Sequence, residues 1–197
     1  MTMTNKAWYE NCFVSVEALK GTEVQLQTKT TSLGITGGGF DVEGVETFGG
    51  KITRVGTRDD IELSFDGIPT SHIDFDWMFA GQTTSTQSAL TGASITTSVV
   101  TPYRVTLLWT DYTGSVTSAA KQTFSGSTEC YRRVYADTYC TSLETNMDAG
   151  DILKASMTFK TPFVDSNGVQ NFRVMSKDTT SATFSAIAAY TSSTTKW

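Results

Sequence analysis

The sequence predicts an all-β domain with at most one short helix, on three observations. Threonine and serine make up more than a quarter of the 197 residues, and a β-branched side chain suits a pleated surface while losing rotamer freedom in a helix. Short alternating runs of apolar and polar residues recur between glycines, aspartates and asparagines. No run of Ala, Glu, Lys, Leu and Arg repeats at helical spacing. The length suits one well-packed core or at most two small ones. With no internal repeat and no domain-sized linker, the chain reads as a single domain, 1–197, with free arms at roughly 1–10 and 191–197.

Taken in order, CFVSVEAL (12–19) and TEVQLQTK (22–29) flank Lys20-Gly21 and read as a hairpin. A glycine-rich patch, GITGGG, follows. FDVEGVET (40–47), KITRV (51–55) and DIELSF (60–65) read as strands, with bends at Phe48-Gly49-Gly50 and at Gly56 to Asp59. Alternation places Ile61, Leu63 and Phe65 on one side and Glu62 and Ser64 on the other. SHIDFDWMFAG (71–81) is the one credible helix: Ser71 and Asp74 approximate a capping box, and Gly81 ends it. QTTSTQSALTGAS (82–94) is a polar loop. Next comes extended SITTSVVTPYRVTLLWT (94–110), where Thr101-Pro102 implies an edge or a break. Asp111 to Gly114 turns the chain into SVTSAAKQTF (115–124). ECYRRVYADTYCTSLETNM (129–147) and ILKASMTFKTP (152–162) are strand-like, and Asp165-Ser166-Asn167-Gly168 is a strong turn, Asn-Gly being the usual type I′ pair. ATFSAIAAY (182–190) reads as a last strand.

The charge is −5 overall, which argues against tight binding to a nucleic-acid backbone, since that needs Lys and Arg to neutralise phosphates. From Asp41 to Asp76 nine acidic residues face three basic ones, Lys51, Arg54 and Arg58. No secretory leader and no apolar run of membrane-spanning length is visible, so a soluble product of the cytoplasm is expected, with no membrane partner. Cys12, Cys130 and Cys140 lack ligand spacing and read as reduced, mostly buried thiols, although Cys130 and Cys140 would pair if a hairpin set them opposite each other. His72 is the only histidine, near a helix start and without ligand-spaced partners. A hydrolase would rest on it alone, for there is no G-x-S-x-G. The acidic pairs Asp59 with Asp60 and Asp74 with Asp76 do not make a glycosidase, which needs two carboxyls set across a cleft; adjacent acids in turns are usually solvated or cap backbone groups. ITGGGF is not followed by Lys-Ser/Thr, and neither DSNG nor MDAGD resembles a calcium loop. The expectation is therefore no enzyme, no cofactor, no metal and no catalytic residue.

Two segments carry a resemblance. VEGVETFGGKITRVGTRDDIELSFDGIP (42–69) reads as two strands joined by a bend and leading to a short helix. ECYRRVYADTYCTSLETNMDAGDILKASMTFKTPFVDSNGVQNF (129–172) runs from an aromatic-rich strand through a turn to Leu153, Ser156, Thr158, Phe159, Lys160 and Pro162, then Asp165 and Asn167-Gly168. Together they resemble the tail tube protein, or major tail protein, of siphovirus-type tailed viruses, over about half the chain. The resemblance implies a β-sandwich or half-barrel of two packed sheets with one short helix. It implies hexameric rings whose strands join a ring-wide inner barrel, stacked into a tube that passes the viral genome to the host. The partners it implies are further copies, a tape-measure protein and a tail terminator. Viral DNA would pass without specific binding, in a virion tail assembled in the host cytoplasm. Contractile tails and secreted injection tubes share the fold, so fold does not name the machine.

Under that resemblance the acidic strands acquire a use: a carboxylate-lined bore repels phosphates. Asp41, Glu43, Asp60 and Glu62 are the lumen-facing candidates. The bent loop Val45, Glu46, Thr47, Phe48, Gly49, Gly50, Lys51, Ile52, Thr53 and Arg54, with Phe48 at its tip, is the ring-stacking candidate. Trp8, Tyr9 and Trp197 in the arms are candidates for docking on neighbouring subunits. The alternative is a carbohydrate- or surface-binding β-sandwich, a fibre or adhesin module using Trp109, Tyr112 and Tyr131.

Overall fold

A computed structural model of the chain describes residues 12–26, 32–67, 102–110, 116–125, 130–146, 149–150, 153–176 and 183–193. The stretch 71–81 expected as a helix, the loop 82–94, Tyr112, and the arm residues Trp8, Tyr9 and Trp197 lie outside the described residues.

All regular elements among the described residues are strands, as the composition predicts. They are β1 (Cys12–Ala18), β2 (Glu23–Gln25), β3 (Ser32–Gly37), β4 (Phe40–Thr47), β5 (Gly50–Arg58), β6 (Ile61–Gly67), β7 (Tyr103–Thr110), β8 (Phe124–Ser125), β9 (Cys130–Asn146), β10 (Lys154–Thr161), β11 (Phe172–Ser176) and β12 (Thr183–Phe184). Eight form one antiparallel sheet in the order β2-β1-β7-β9-β10-β6-β3, with β11 also on β9. The 17-residue β9 ties two layers together. Its first half, to Thr138, pairs with β7, and its second half pairs with β10 from Tyr139 onward. β10 and β11 follow one another along β9, separated by an excursion over residues 162–171. Register skips at Tyr131 and Thr141 mark bulges on β9, and a bulge bends and twists the strand that carries it.

The layers close on one core. β1 supplies Val14 and Val16, β7 Val105 and Leu107, β9 Val134 and Ala136, β6 Leu63 and Phe65, and β10 Ala155, Met157 and Phe159, all buried. The alternation read in IELSF is realised: Ile61, Leu63 and Phe65 are buried, with Glu62 and Ser64 on the opposite face. Phe159 stacks on Phe65 at 5.6 Å between centroids and meets Tyr103 edge-on at 6.3 Å.

The other face of the first layer is covered by irregular chain; at one end Leu108, Phe13 and Met175 pack with Val116 and Ala119, and the rest is polar. Register aligns Glu17 with Arg104 and Arg104 with Asp137. Asp137, with no exposed surface, accepts from Arg104 Nε at 2.7 Å and Nη2 at 3.2 Å, and Arg173 stands 3.8 Å away. Arg104 also donates to Ala188 O at 3.1 Å, and its guanidinium lies 4.5 Å from the ring centre of buried Tyr190. Arg133, fully buried, donates to Ser185 O at 2.5 Å and to Gln122 O. Ile187 N donates to Ala120 O at 2.9 Å, and Tyr190 N to Glu17 Oε1 at 3.2 Å. The backbone of 183–193 is thus strapped to the sheet by side chains.

The structure corrects several expectations. Among its described residues ATFSAIAAY is strand only at Thr183–Phe184; beyond them Arg133 and Arg104 take the carbonyls of Ser185 and Ala188, and Lys20 N takes that of Tyr190, in place of a neighbouring strand. Among its described residues SVTSAAKQTF is strand only at its last, Phe124, where β8 begins; its Ser118 to Lys121 turn is held by Glu23, which accepts from Ser118 Oγ at 2.6 Å and Ala120 N at 3.1 Å. The glycine-rich GITGGG contributes to a strand, β3. The Asn-Gly turn is not type I′, which needs positive φ at both central residues; only Gly168 has it, at 78°, and Asp165 N with Val169 O closes a three-residue loop instead. Cys130 and Cys140 share β9, roughly 33 Å apart at the ordinary strand rise. They cannot bond within one chain. Burial pushes the Cys12 thiol up to about 12 and Cys140 to about 11, so both are poor nucleophiles.

Removing the Asp137 carboxylate by Asp137→Ala would leave Arg104 without its bidentate partner in a dry layer. The expected cost is about 3–5 kcal/mol by denaturant unfolding. Burial raises the pKa of Glu17, outweighing the Tyr190 N–H, Lys121 and Arg104, while Glu23 adds to the rise. The native state therefore holds this proton to higher pH than the unfolded chain, and the group's contribution to stability falls as pH rises through that window. Urea midpoints should show Glu17→Gln close to the native protein near about pH 4 and more stable near about pH 7.

Candidate assembly surfaces

Four strands form the second layer: the far half of β9, then β10, β6 and β3. Its core face is covered by its own domain. Its other face carries Thr36 on β3, Glu62, Ser64 and Asp66 on β6, Ser156, Thr158 and Lys160 on β10, and Ser142 and Glu144 on β9, brought together by the register. Lys154 completes the row on β10 opposite Asn146. The face is thus hydroxyl-rich, with Glu62, Asp66 and Glu144 set against Lys154 and Lys160. Gly34 sits under Ser64, whose Oγ would be 2.8 Å from an added Cβ.

Both edges of this layer are open among the described residues. β3 pairs only with β6, and residues 141–146 of β9 pair only with β10. An unpaired edge offers a row of backbone donors and acceptors, and proteins that leave one to solvent usually blunt it with Lys, Pro or other charges. β3 reads SLGITG with no charge at all, and its Ile35 is 41% exposed on the core side of the strand. Residues 141–146 include one charge, Glu144.

The hairpin of β4 and β5 stands apart. These strands pair with each other only, and Phe40, Val42 and Val55, at 56–60% exposure, leave an apolar strip on one face. Phe48 at the tip is fully exposed. A two-stranded ribbon is marginal in water on its own. The backbone places Val45 to Arg54 in the outer part of this arm, with Glu46 opposite Lys51 and Glu43 opposite Arg54 in register. At its root, β3 ends where β4 begins and β5 ends where β6 begins, so the arm prolongs the β3–β6 ribbon past a bend. Gly37 at φ 89° and Gly38 at φ 74° make that bend, and a Cβ on Gly37 would lie 1.8 Å from Asp60 O, so no other residue fits.

The four acidic candidates fall in two places. Glu62 is on the polar face of the second layer and half-buried Asp60 lies at its end; Asp41 and Glu43 are on β4 of the arm. Asp66 and Glu144, which share a face with Glu62, were passed over by the sequence reading; strict alternation along IELSFDG is the signal that would have found Asp66. Of the aromatic residues expected for glycan binding, Trp109 packs against the core, and the Tyr131 side chain lies outside the described part of the molecule. Among the described residues no group of His, Cys, Asp or Glu could hold a metal ion, and no helix is long and apolar enough to cross a membrane.

No family model matches the chain, and no curated protein matches it in sequence. Among solved structures it is similar to a chain of the PVC sheath–tube complex of an extracellular contractile injection system in its extended state. The TM-score is 0.52 at 14% identity, over 89% of this chain and 95% of that one. A chain of the anti-feeding prophage tube-terminating cap gives a TM-score of 0.49 at 10% identity, over 90% and 94% of the two chains. Hcp protein gives 0.34 at 9% identity, over 84% and 99%. At such identities the likeness is one of fold alone, and the first comparison carries it.

Because the arm's exposed valines lie outside the core, the double change Val42→Ser with Val55→Ser should leave the stability of the isolated chain within about 0.5 kcal/mol, by denaturant unfolding. A larger loss would mean that the strip packs on its own domain.

Proposed function

We propose that the protein is the repeating subunit of a tube, a structural component and not an enzyme. The observation that carries this reading is the second layer: a four-stranded sheet with one face polar, the other buried, and both edges open and nearly uncharged. Copies joined edge to edge, β3 of one beside residues 141–146 of the next, would continue the sheet around a closed ring. Strand directions alternate through the four strands, so β3 runs opposite to β9 and the junction between copies is antiparallel like every pair within one. The polar face then lines the bore, because the apolar face is taken up by the core. The fold shared with a chain of a sheath–tube complex supports tube building and does not separate a viral tail from an injection machine.

In its finer form the reading is a siphovirus-type tail tube. Hexameric rings stack, the arm with Phe48 reaches the next ring, and tape-measure and terminator proteins act at assembly and at the end. The viral genome passes through to the host from a virion tail put together in the host cytoplasm. Glu62, Asp66 and Glu144 face the bore in this scheme, with Asp60 at its rim and Asp41 and Glu43 where rings meet. The wall is a hydrated hydroxyl surface with a small excess of carboxylate, in which Lys154 and Lys160 are outnumbered by Glu62, Asp66 and Glu144 and form no continuous cationic track for phosphates. Trp8, Tyr9 and Trp197 dock on neighbouring copies in this scheme.

Negative-stain microscopy of the concentrated full-length protein should show rings or cylinders; monomers or trimers that retain glycan would instead indicate the surface-binding module. In cylinders, hydrogen exchange at residues 32–37 and 141–146 should slow by at least about a hundredfold relative to dispersed protein. Cylinders without that protection would overturn the edge-to-edge arrangement.

A further inference from the structure

Among the described residues the strands of the arm pair with each other and join the body through a ribbon bent at glycines, so something must fix the arm's direction if it is to meet a neighbour at a repeatable place. The root of the arm holds one residue with the right contacts. Arg58, the last residue of β5, donates from Nε to Gly38 O at 2.6 Å across the bend. Its guanidinium lies 3.3 Å from the ring centre of Phe163 and 5.2 Å from that of Phe40. Asp59 N donates to Gly39 O at 2.8 Å beside it. Phe40 belongs to the arm, Gly38 to the bend and Phe163 to the body, so a single planar cation touches all three.

Phe163 is firmly mounted. It begins the excursion that interrupts the β10–β11 edge of β9, and that excursion is braced from within. Asp165 Oδ1 accepts from Asn167 N and Val169 N, each at 2.8 Å. Fully buried Asn171 donates to Pro162 O at 3.0 Å through its side chain and to Phe163 O at 3.0 Å through its backbone, while its own carbonyl accepts from Asp137 N. A ladder that could have run straight from β10 into β11 thus departs from β9 to build a rigid platform under Arg58.

We propose that Arg58 is a positioning residue that sets the angle of the arm by clamping the glycine bend onto the ring of Phe163. The purpose assigned to that angle, repeatable contact with the next ring, rests on the tube reading; the clamp itself does not. A guanidinium stacks flat on an aromatic ring while keeping its N–H donors in the plane, so one group can hold both ring and carbonyl.

The test uses dispersed full-length protein, with spin labels on genetically encoded keto residues at exposed Thr53 on the arm and exposed Glu144 on β9, read by double electron–electron resonance. The native protein should give one narrow distance distribution. Arg58→Ala and Phe163→Leu should each raise the population outside that peak about fivefold or more. Phe163→Tyr, which keeps the ring, should restore the narrow peak, and the melting temperature should stay near native in all three. A Phe163→Leu distribution as narrow as the native one overturns the proposal, even if Arg58→Ala broadens it, because the ring is then not what holds the cation. Failure of the native protein to form cylinders would sink the tube reading and leave this measurement intact.

Discussion

The architecture depends on a single long strand that belongs to two layers. Over its first half β9 has β7 on one side and β11 on the other, and over its second half it has β10. Since the same strand runs through both, the layers cannot slide independently, and the bulge at Thr141 bends β9 close to the junction between them. The two layers are nevertheless unequal. The first layer has both faces covered, one by the core and one by the straps at 116–125 and 183–193. The second layer has only its core face covered and keeps its edges. A sheet buried on both faces is finished; one buried on a single face, with uncharged edges, invites continuation.

The buried charges serve the finished layer. Straps without regular structure carry backbone carbonyls that no strand satisfies, and water is largely excluded beneath them. Arg104 and Arg133 supply donors to those carbonyls, and Asp137 compensates Arg104 with Arg173 beside it. An apolar face would have left the carbonyls unsatisfied, which costs more than a neutral hydrogen bond returns. This explains a charged layer inside a chain whose charged content is only 18%. It also fixes the straps to one position, because each arginine meets a particular carbonyl.

Much of this was legible in the residues. IELSF and KASMTFKT alternate strictly and lie as read, and FGG marked the tip of a hairpin. The failures have physical causes. SLGITG hides a strand because glycines remove the side-chain pattern that periodicity detects. ATFSAIAAY imitates alternation with small residues, but its backbone is claimed by arginines far away in sequence, which no local window can register. That β9 spans two layers follows from the identity of its neighbours, and those neighbours are set by the whole chain. The polar face could be guessed from Glu62 alone; its other members come from three strands and appear together only through register. Arg58 read as one more basic residue in an acidic stretch, since the ring it lies on is about a hundred positions away.

If copies join as proposed, the alternating directions of the four strands in the unfinished layer bear on stoichiometry. An odd number per copy would force a parallel seam or demand copies related by inversion of direction; an even number makes every seam equivalent to the pairs inside. Backbone pairing is then satisfied for any count of copies, five, six or seven alike. Circumference must be chosen by something else, namely how sharply each sheet curls; the register irregularity among the pairs of this layer is the bulge at Thr141, and a bulge bends the strand that carries it. In the proposed tube a change at Thr141, the bulge where the seam segment begins, would therefore alter the calibre together with one end of the seam.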